Sequence, residues 1–588
     1  MRHSSAIVVA VVVAAFVSLV ASPRAAGRSD VADAAMRGDR VTLLALIAQR
    51  ADVNAPQADG ATALHWAVYR DDRELADTLI RAGARVSTAS REGVTPLWLA
   101  SINGDAAMIE VLIAGGADPN EHLPLGRTPL MTAARTGSVD AIKVLVDRGA
   151  DVNAKEALRG TTALMWAADE GHAAAVHLLI ERGANINARS DPAARGRGPA
   201  LGKANDPRKQ VAAQGAAVAA GRALDLNQLA QVPGAVPRAP ARGGQGVPAA
   251  APPSDDQNND AAAVTGGGRR PEAKDGGGLT ALTYAVRANN LESVKVLLAA
   301  GADIDQVSGY GWSPLLVATQ NRYYKLGAFL LEHRANPNLA NKGGWTPLYL
   351  ATDNRNIENG DYPVRRGDAD HLDFIKLLLD KGADVNARVK DSTEMRTVFT
   401  NQWLDENGAT AFLRASQSGD LELMTLLLAH GADPKIATVL GVTALHVAAG
   451  IGWVEGITYE WSPQTTLDAV KTLIDLGLDV NARADTGRTA LHGAAHKGRT
   501  EVIQVLADRG AALDVRDYGN TDNRGGKLAV HTWQAVDYAD GLVRVGVQSA
   551  IGHPEAGLLL RNLMTAKGLP VPPPGRTLDS ICITEACE

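Results

Sequence analysis

Gly60-Ala61-Thr62-Ala63-Leu64-His65 is the first copy of the motif that decides the fold. A Gly, any residue, a Thr or Ser, a Pro or Ala, and then a Leu or Phe recur along the chain. The hydroxyl residue of the motif stands at Thr62, Thr95, Thr128, Thr162, Thr280, Ser313, Thr346, Thr410, Thr443 and Thr489. Six of the nine intervals between these positions are 33 or 34 residues long, a period typical of stacked repeats. The sequence therefore predicts a long repeat array.

Each repeat unit is predicted to form two short helices and a turn. The hydroxyl residue is a good N-cap, and Pro or Ala fits the first helical turn after it. A second apolar helix then ends at sequences such as Gly149-Ala150-Asp151, where Gly permits a left-handed backbone. Val and Asn follow, as in Val152-Asn153, and start the tight hairpin that leads to the next motif.

Three copies of the motif resemble the signature of the ankyrin repeat family: Thr62-Ala63-Leu64-His65, Thr443-Ala444-Leu445-His446 and Thr489-Ala490-Leu491-His492. The resemblance covers about residues 30 to 188 and 276 to 566. It implies an all-α solenoid of stacked antiparallel helix pairs with projecting β-hairpin fingers. Arg50 and Arg334 stand where the family has its terminal Gly, so we expect strained or differently capped helix ends there.

The composition fits such an array. Of 588 residues, 46% are hydrophobic and only 4% are aromatic, so we expect a core of Ala, Leu and Val. The formal net charge of −6 is mild and evenly mixed in sign. It argues against nucleic acid or an acidic membrane surface as the obligatory partner.

The first residues resemble a targeting segment. Arg2 and His3 precede a largely apolar run from Ala6 to Val20, and small residues follow. This run is shorter than the about 20 residues that span a bilayer, so we expect a cleaved signal peptide rather than an anchor. The mature chain is then periplasmic or extracellular, with no later membrane span.

The chain is predicted to divide into six segments. Asp30 to Asn54 lacks the opening motif, as expected of a terminal capping repeat. The Ala/Gly/Pro-rich stretch between the arrays cannot bury enough apolar surface to order itself. The segments are a signal peptide at 1–26, a first array at 30–188, a disordered linker at 189–275, a second array at 276–516, a degenerate C-terminal capping repeat at 517–566 and a tail at 567–588.

Three insertions interrupt the second array, near 355–370, 388–408 and 450–466. The first and third enter loops between paired helices, and the second extends a finger. Inserted loops on a rigid scaffold often carry function, although packing over a hydrophobic edge is an equal alternative. The inserted aromatic residues that are candidates for partner contact are Trp403, Trp453, Tyr459 and Trp461.

The resemblance also implies where a partner binds: a concave groove, the finger tips, the residue between Gly and Thr, and the residues just after the first helix. Trp312 and Trp345 occupy the same position in adjacent repeats, and Trp and Tyr are common binding anchors. The alternative is that each ring packs on the neighbouring finger. Carried over position by position, the predicted contact residues are Tyr310, Trp312, Trp345, Arg287, Gln320, Asn321, Asp353 and Asn354. Trp66 and Trp166 instead fall on the apolar side of their helices and are expected in the core.

Catalytic and metal-binding patterns are not found in the sequence. His492 and His496 have i, i+4 spacing, but no Glu completes a His-Glu-x-x-His motif, and the signature histidines have a structural explanation. We therefore expect no cofactor, no metal and no enzymatic activity. Cys582 and Cys587 could form a disulfide with each other, or with a partner, in an exported protein.

These expectations combine into one function. The chain is predicted to be an exported, monomeric scaffold that binds a protein partner through its groove, fingers and inserted loops. One alternative is an accessory or catalytic function in the atypical region from Gly519 to Glu588. Another is a purely architectural role.

Overall fold

The computed structural model describes residues 29–193, 276–356, 367–390, 406–453, 458–522, 529–543 and 551–576. The predicted signal peptide, most of the predicted linker, Trp403, Cys582 and Cys587 lie outside these residues. The chain divides into two compact units, Met1–Ala188 and Arg189–Glu588. We call them the first and second units.

The first unit is a stack of helix pairs in which first helices pack on first helices and second helices on second helices. The pairs are α1 (Asp30–Arg37) with α2 (Arg40–Ala48), α3 (Ala63–Tyr69) with α4 (Arg73–Arg81), α5 (Pro96–Asn103) with α6 (Ala106–Ala114), α7 (Pro129–Thr136) with α8 (Val139–Asp147), and α9 (Ala163–Glu170) with α10 (Ala173–Glu181).

The second unit repeats this arrangement, with a row of mutually packed first helices from α11 to α23. Its helix pairs are α11 (Ala281–Arg287) with α12 (Leu291–Ala299), α13 (Pro314–Gln320) with α14 (Tyr324–Glu332), α15 (Pro347–Arg355) with α16 (His371–Asp380), α17 (Ala411–Gln417) with α18 (Leu421–Ala429), α19 (Ala444–Ala449) with α20 (Pro463–Asp475), α21 (Ala490–Lys497) with α22 (Thr500–Asp508), and α23 (Ala535–Ala539) with α24 (Pro554–Ala566). The mainly helical solenoid predicted from the sequence is thus confirmed. Among the described residues, no helix has the length and hydropathy needed to cross a membrane.

The repeated hydroxyl residue caps its helix as predicted. The Thr128 side chain accepts a hydrogen bond from the Met131 backbone amide at 3.3 Å. In the repeats with a signature histidine, the imidazole completes a capping box: the Thr62 amide donates to His65 Nδ1 at 3.1 Å. Nε2 of the same ring then donates to the Val94 carbonyl of the next finger at 3.0 Å. One neutral imidazole therefore both starts a helix and joins two repeats.

The turn after each second helix joins repeats through an asparagine. Asn120 Nδ2 donates to the Gly149 carbonyl at 2.8 Å, and its Oδ1 accepts from the Asp151 amide at 2.7 Å. Arg50 and Arg334, the predicted departures from the pattern, adopt φ of 59° and 70°. An arginine therefore occupies the left-handed backbone position that glycine holds in the other repeats.

The predicted start of the linker needs a correction. Ser190 exchanges backbone hydrogen bonds with the segment before Thr280, at 2.9 Å to the Leu279 carbonyl and 3.2 Å from the Gly278 amide. Strand β1 (Pro192–Ala193) then pairs antiparallel with β2 (Gly276–Gly277). Residues 189–193 thus form one side of a finger, because the finger is completed by the chain that returns after the insertion.

The region predicted as a C-terminal capping repeat forms one further helix pair, α23 with α24. Gln534 replaces the usual Thr as N-cap, and its backbone amide donates to the Asp537 carboxylate at 2.7 Å. Asp537 thus stands at the position that the signature histidine has in other repeats. A hairpin of β3 (Asn520–Asp522) and β4 (Ala529–His531) extends the preceding finger.

Candidate interaction surface

One position on the first helices gives a row of equivalent side chains. The seventh residue of a first helix lies at its carboxyl end, and successive first helices contact each other, so these residues follow one face of each unit. We call this set the seventh-position row. It comprises Met36, Tyr69, Ile102, Arg135 and Asp169 in the first unit, and Arg287, Gln320, Asp353, Gln417 and His496 in the second.

In the first unit the row is accessible and partly aromatic. Met36 is 40% exposed and Tyr69 is 46% exposed. Trp66, one helical turn before Tyr69, is half-buried, with ring centroids 5.7 Å apart in an edge-on contact. Its Nε1 donates to Gln57 Oε1 of the finger at 2.7 Å. Trp66 therefore lies at the margin of the accessible face. It was predicted to lie in the core, and that prediction is wrong.

Trp166 repeats this arrangement at the other end of the unit. Its indole is half-buried, and Nε1 donates to the Thr161 hydroxyl of the finger at 2.7 Å. The guanidinium of Arg135, an exposed member of the row, lies 5.8 Å from the centre of the Trp166 ring. Aromatic rings and a cation thus share this face.

The second unit begins in the same way. Arg287 is exposed, and its guanidinium lies 4.6 Å from the centre of the Tyr284 ring. Gln320 and Asn321 are half-buried. These three residues were predicted to contact a partner, and their positions leave them accessible to one.

The predicted aromatic pair is arranged differently from the expectation. Trp345 is 0% exposed and Tyr310 is 6% exposed, whereas Trp312 is half-buried. Trp345 packs edge-on against Tyr349, with centroids 4.7 Å apart, inside a core cluster that includes Val389 of the next finger. The expectation that Trp345 and Tyr310 touch a partner is therefore wrong for this structure, because the neighbouring finger and helix cover them.

Asp353 and Asn354, also predicted as contact residues, are buried too. Asp353 accepts a hydrogen bond from Arg414 Nε at 2.8 Å, and the two side chains are 5% and 1% exposed. Asn354 donates to the Thr319 carbonyl at 2.8 Å. Both residues join neighbouring repeats. Of the contact residues predicted at the ends of the first helices of the second unit, only Arg287, Gln320 and Asn321 are therefore accessible.

Sequence reasoning missed Arg414. It stands at the fourth position of α17, which is occupied by Trp66 and Trp166 in the first unit. Besides Asp353, its guanidinium donates to the Ser418 hydroxyl at 3.1 Å and to the Asn356 carbonyl. The available signal was a basic residue at a position where most other repeats have an aromatic or aliphatic side chain.

In the third insertion, predicted near 450–466, the segment of residues 458–462 reaches across this part of the face. We call it the strap. The Trp461 amide donates to the Ser418 carbonyl at 3.1 Å, and its Nε1 donates to Asn356 Oδ1 at 2.9 Å. Arg355 lies 4.7 Å from the centre of the Trp461 ring. The strap thus contacts the ends of α15 and α17, while its indole remains 41% exposed.

A carboxylate anchors the strap on the following repeat. Glu460 accepts from Lys497 Nζ at 2.7 Å and from Arg499 at 2.5 Å. Burial lowers the pKa of Lys497 to about 8, and Glu460 offsets only part of that shift. Burial raises the pKa of Glu460, but Lys497, Thr466 and Arg499 together outweigh burial, so the net pKa is below its usual value. The Trp453 ring lies 5.3 Å from Lys497 Nζ.

The atypical C-terminal region contains a buried polar cluster. The Tyr538 hydroxyl donates to Asp517 Oδ2 at 2.6 Å and accepts from Arg488 Nε at 2.7 Å. Burial raises the pKa values of Asp517 and Tyr538. All three side chains are buried and joined to one another, which ties the last fingers to α23. In the described part of the chain, no three His, Cys, Asp or Glu side chains are arranged to hold a metal.

Comparisons with known families agree with this architecture. A model described as ankyrin repeats in three copies matches residues 31–122, 99–190 and 282–389. Models described as ankyrin repeats in many copies and as a single ankyrin repeat match residues 466–507 and 407–439. Together the matched ranges cover more than half of the chain.

Several curated proteins are similar to parts of it. A probable E3 ubiquitin-protein ligase of Oryza sativa subsp. japonica is 32% identical, over 26% of this chain and 32% of the relative. Ankyrin repeat domain-containing protein 63 of Homo sapiens is 30% identical, over 26% and 35%. Protein phosphatase 1 regulatory subunit 27 of Mus musculus is 34% identical, over 17% and 55%. The chain thus matches less than two thirds of the length of each. Repeated family matches and stacked, histidine-capped helix pairs lead to one conclusion: the chain belongs to the ankyrin repeat family.

Proposed function

We propose that this ankyrin repeat protein is an exported, non-enzymatic scaffold that binds a protein partner through the first unit's seventh-position row and finger tips. The family supports the general role, because ankyrin repeats are protein-interaction scaffolds. The site rests on one observation: Met36 and Tyr69, two large apolar side chains in adjacent repeats, are 40% and 46% exposed beside the half-buried Trp66. Exposed apolar groups with an aromatic anchor are typical of interaction sites.

The finger tips add apolar surface to the same unit. Leu125 is 53% exposed and Leu158 is 64% exposed. The Ala157 amide donates to the Leu125 carbonyl at 2.8 Å, so the two tips are adjacent. A partner that lies along the row can contact them as well. Arg287, Gln320, Asn321 and Trp312 give the second unit a smaller surface of the same kind.

Export is proposed from the sequence of the first residues. Arg2 and His3 ahead of the apolar run from Ala6 to Val20 support a signal peptide and a periplasmic or extracellular location. The non-enzymatic role is supported by the C-terminal cluster, because Arg488, Asp517 and Tyr538 are buried and bonded to one another rather than open to a substrate.

The test is a partner capture that compares matched variants. The exported protein would be cross-linked in its native extract, and bound proteins would be quantified by mass spectrometry. We expect Met36→Ala with Tyr69→Ala to lower recovery of the partner at least tenfold, because two exposed anchors are lost. Leu558→Ala is the control: Leu558 is 61% exposed but lies on α24, a second helix away from the row.

Two results would contradict the proposal. Equal recovery by the double variant and the control would remove the row as the binding site. Recovery of no partner by the unmodified protein would favour a purely architectural role.

A further inference from the structure

The strap is part of a connection that is longer than the one in a regular repeat. In a regular repeat only two residues separate the paired helices: α7 ends at Thr136 and α8 begins at Val139. Here α19 ends at Ala449 and α20 begins only at Pro463, yet the two helices still pack against each other. The connection is therefore longer than the packing of its own two helices requires, although Ser462 at its end caps α20.

The contacts of the strap are made mostly with other repeats. Trp461 binds Asn356 and Ser418, which follow α15 and α17. Glu460 binds Lys497 at the end of α21 and Arg499 just beyond it. These positions lie beside Asp353, Gln417 and His496, members of the seventh-position row. An inserted segment thus covers, within the chain, the same face that we propose a partner contacts elsewhere.

The chemistry of these contacts is that of peptide recognition. A backbone carbonyl accepts the Trp461 amide, a side-chain amide accepts its indole N–H, and the Arg355 guanidinium lies over its ring. Two cations bind the Glu460 carboxylate. Adjacent acidic and aromatic residues in a non-helical segment satisfy all these groups at once.

We propose that this face of the second unit is a binding site for an acidic–aromatic peptide segment, which the strap occupies as a resident ligand. A partner segment that carries Glu followed by Trp displaces the strap and takes over its contacts. Because a tethered segment has an effective concentration of about millimolar, a free segment competes only when the strap is weakened or the partner is held nearby. The 41% exposure of Trp461 allows this exchange, since the ring is not enclosed. This site is separate from the first unit's row, so either can fail alone.

The direct test uses a labelled peptide of residues 458–463, Thr-Tyr-Glu-Trp-Ser-Pro, on the full chain. In the variant Glu460→Gln with Trp461→Ala, the strap loses its anchors while Asn356, Lys497 and Arg499 remain. We expect this variant to bind the peptide at least tenfold more tightly than the unmodified protein, as measured by fluorescence anisotropy. A peptide with the same two substitutions is the control and should not bind. A variant that keeps its circular dichroism but binds neither peptide would overturn the proposal.

A second measurement on the unmodified protein covers the case in which that variant does not fold. Hydrogen exchange of the Trp461 amide reports opening of the strap, and the Met424 amide within α18 reports unfolding of the repeat. We expect Trp461 to exchange at least a hundredfold faster than Met424. Equal protection of the two amides would show that the strap is a fixed part of the fold and would refute its role as a ligand.

Discussion

The two units share a backbone plan, but α15 and α17 of the second unit bury helix positions that the first unit leaves accessible. In the first unit, Trp66 and Tyr69 at the fourth and seventh positions of α3 lie on an accessible face. In the second, the equivalent Arg414 and Gln417 of α17 are each 1% exposed. The caps, histidine bridges and asparagine turns that form the repeat are common to both units. Ankyrin repeats therefore leave these face positions free to become either a surface or an interior.

The ion pairs between repeats also differ in burial between the two units. In the first unit Arg73 is paired with Asp105 at 3.3 Å, and the arginine side chain is 50% exposed. In the second, Arg414 and Asp353 form a pair that is almost fully buried. Exposed ion pairs contribute roughly 0–1 kcal/mol, whereas breaking a buried pair from one side costs roughly 3–5 kcal/mol. The second unit should therefore be far less tolerant of charge removal.

Removal of one arginine from each unit should show the largest difference in stability between the units. Arg414→Ala should lower the free energy of unfolding of the second unit by about 3–5 kcal/mol, because the buried Asp353 carboxylate loses the Arg414 guanidinium. Arg73→Ala should lower that of the first unit by less than about 1 kcal/mol. Urea unfolding followed by hydrogen-exchange mass spectrometry measures the free energy of unfolding of each unit separately.

A double variant tests the explanation. Replacing Arg414 by Met and Asp353 by Leu removes both charges, so much of the lost stability should return. If Arg414→Ala and Arg73→Ala cost the same, the buried pair is not what distinguishes the units.

Acid should also separate the units. In the second unit, burial lowers the pKa of His446 to about 4, of His492 to about 3 and of His496 to about 4, and in the first unit burial lowers the pKa of His65. A folded pKa below the unfolded 6.5 means that the unfolded state binds the proton first. Stability is therefore full above pH 6.5 and falls as the pH drops towards 4.

The magnitude at pH 5 follows from these values. Each low-pKa imidazole should cost about 2 kcal/mol relative to pH 7. Asp517 and Asp537 offset part of the loss, since burial raises their pKa and the folded state takes up their protons more readily. We expect the second unit to lose about 2 kcal/mol more than the first between pH 7 and pH 5, measured by urea unfolding of each unit. His446→Asn should shrink that difference, and an equal loss in both units would contradict the assignment.

Much of the fold could be predicted because it depends on local chemistry. Each repeat contains its own hydroxyl cap at a regular spacing. The start of a helix such as α7, after the N-cap Thr128, could therefore be predicted without any long-range information. The lengths and positions of the insertions could be counted against the regular unit. The start of the linker was misplaced because the pairing of Ser190 with Leu279 joins residues on both sides of a long insertion.

The site was harder, because exposure depends on what covers a residue. Trp345 looked like an anchor, yet Val389 of the next finger packs with it in the core. Asp353 was predicted to contact a partner, but Arg414, 61 positions away in the sequence, binds its carboxylate in the interior. The position of the strap could be counted from the sequence, but its direction across the neighbouring repeats could not.

The smallest expected effect tests what the two units have in common. Arg50 and Arg334 each hold a left-handed backbone at the end of a second helix, with φ of 59° and 70°. This conformation costs a residue with a Cβ about 1–2 kcal/mol, while glycine loses roughly 0.5–1 kcal/mol more backbone entropy on folding. Arg50→Gly and Arg334→Gly should therefore each raise the stability of their own unit by about 0.5 kcal/mol.

Gly301→Ala is the matched control with the opposite sign. Gly301 has φ of 92°, and no atom lies within 4 Å of the place where a Cβ would be, so only backbone strain changes. We expect it to lower the stability of the second unit by about 0.5 kcal/mol in urea unfolding, by the same balance of strain and entropy. Equal gains at Arg50 and Arg334 would show that the turn behaves alike in both units. A gain in one unit only would mean that the covering of the face also alters the shared backbone, and the contrast between the units would then extend beyond their side chains.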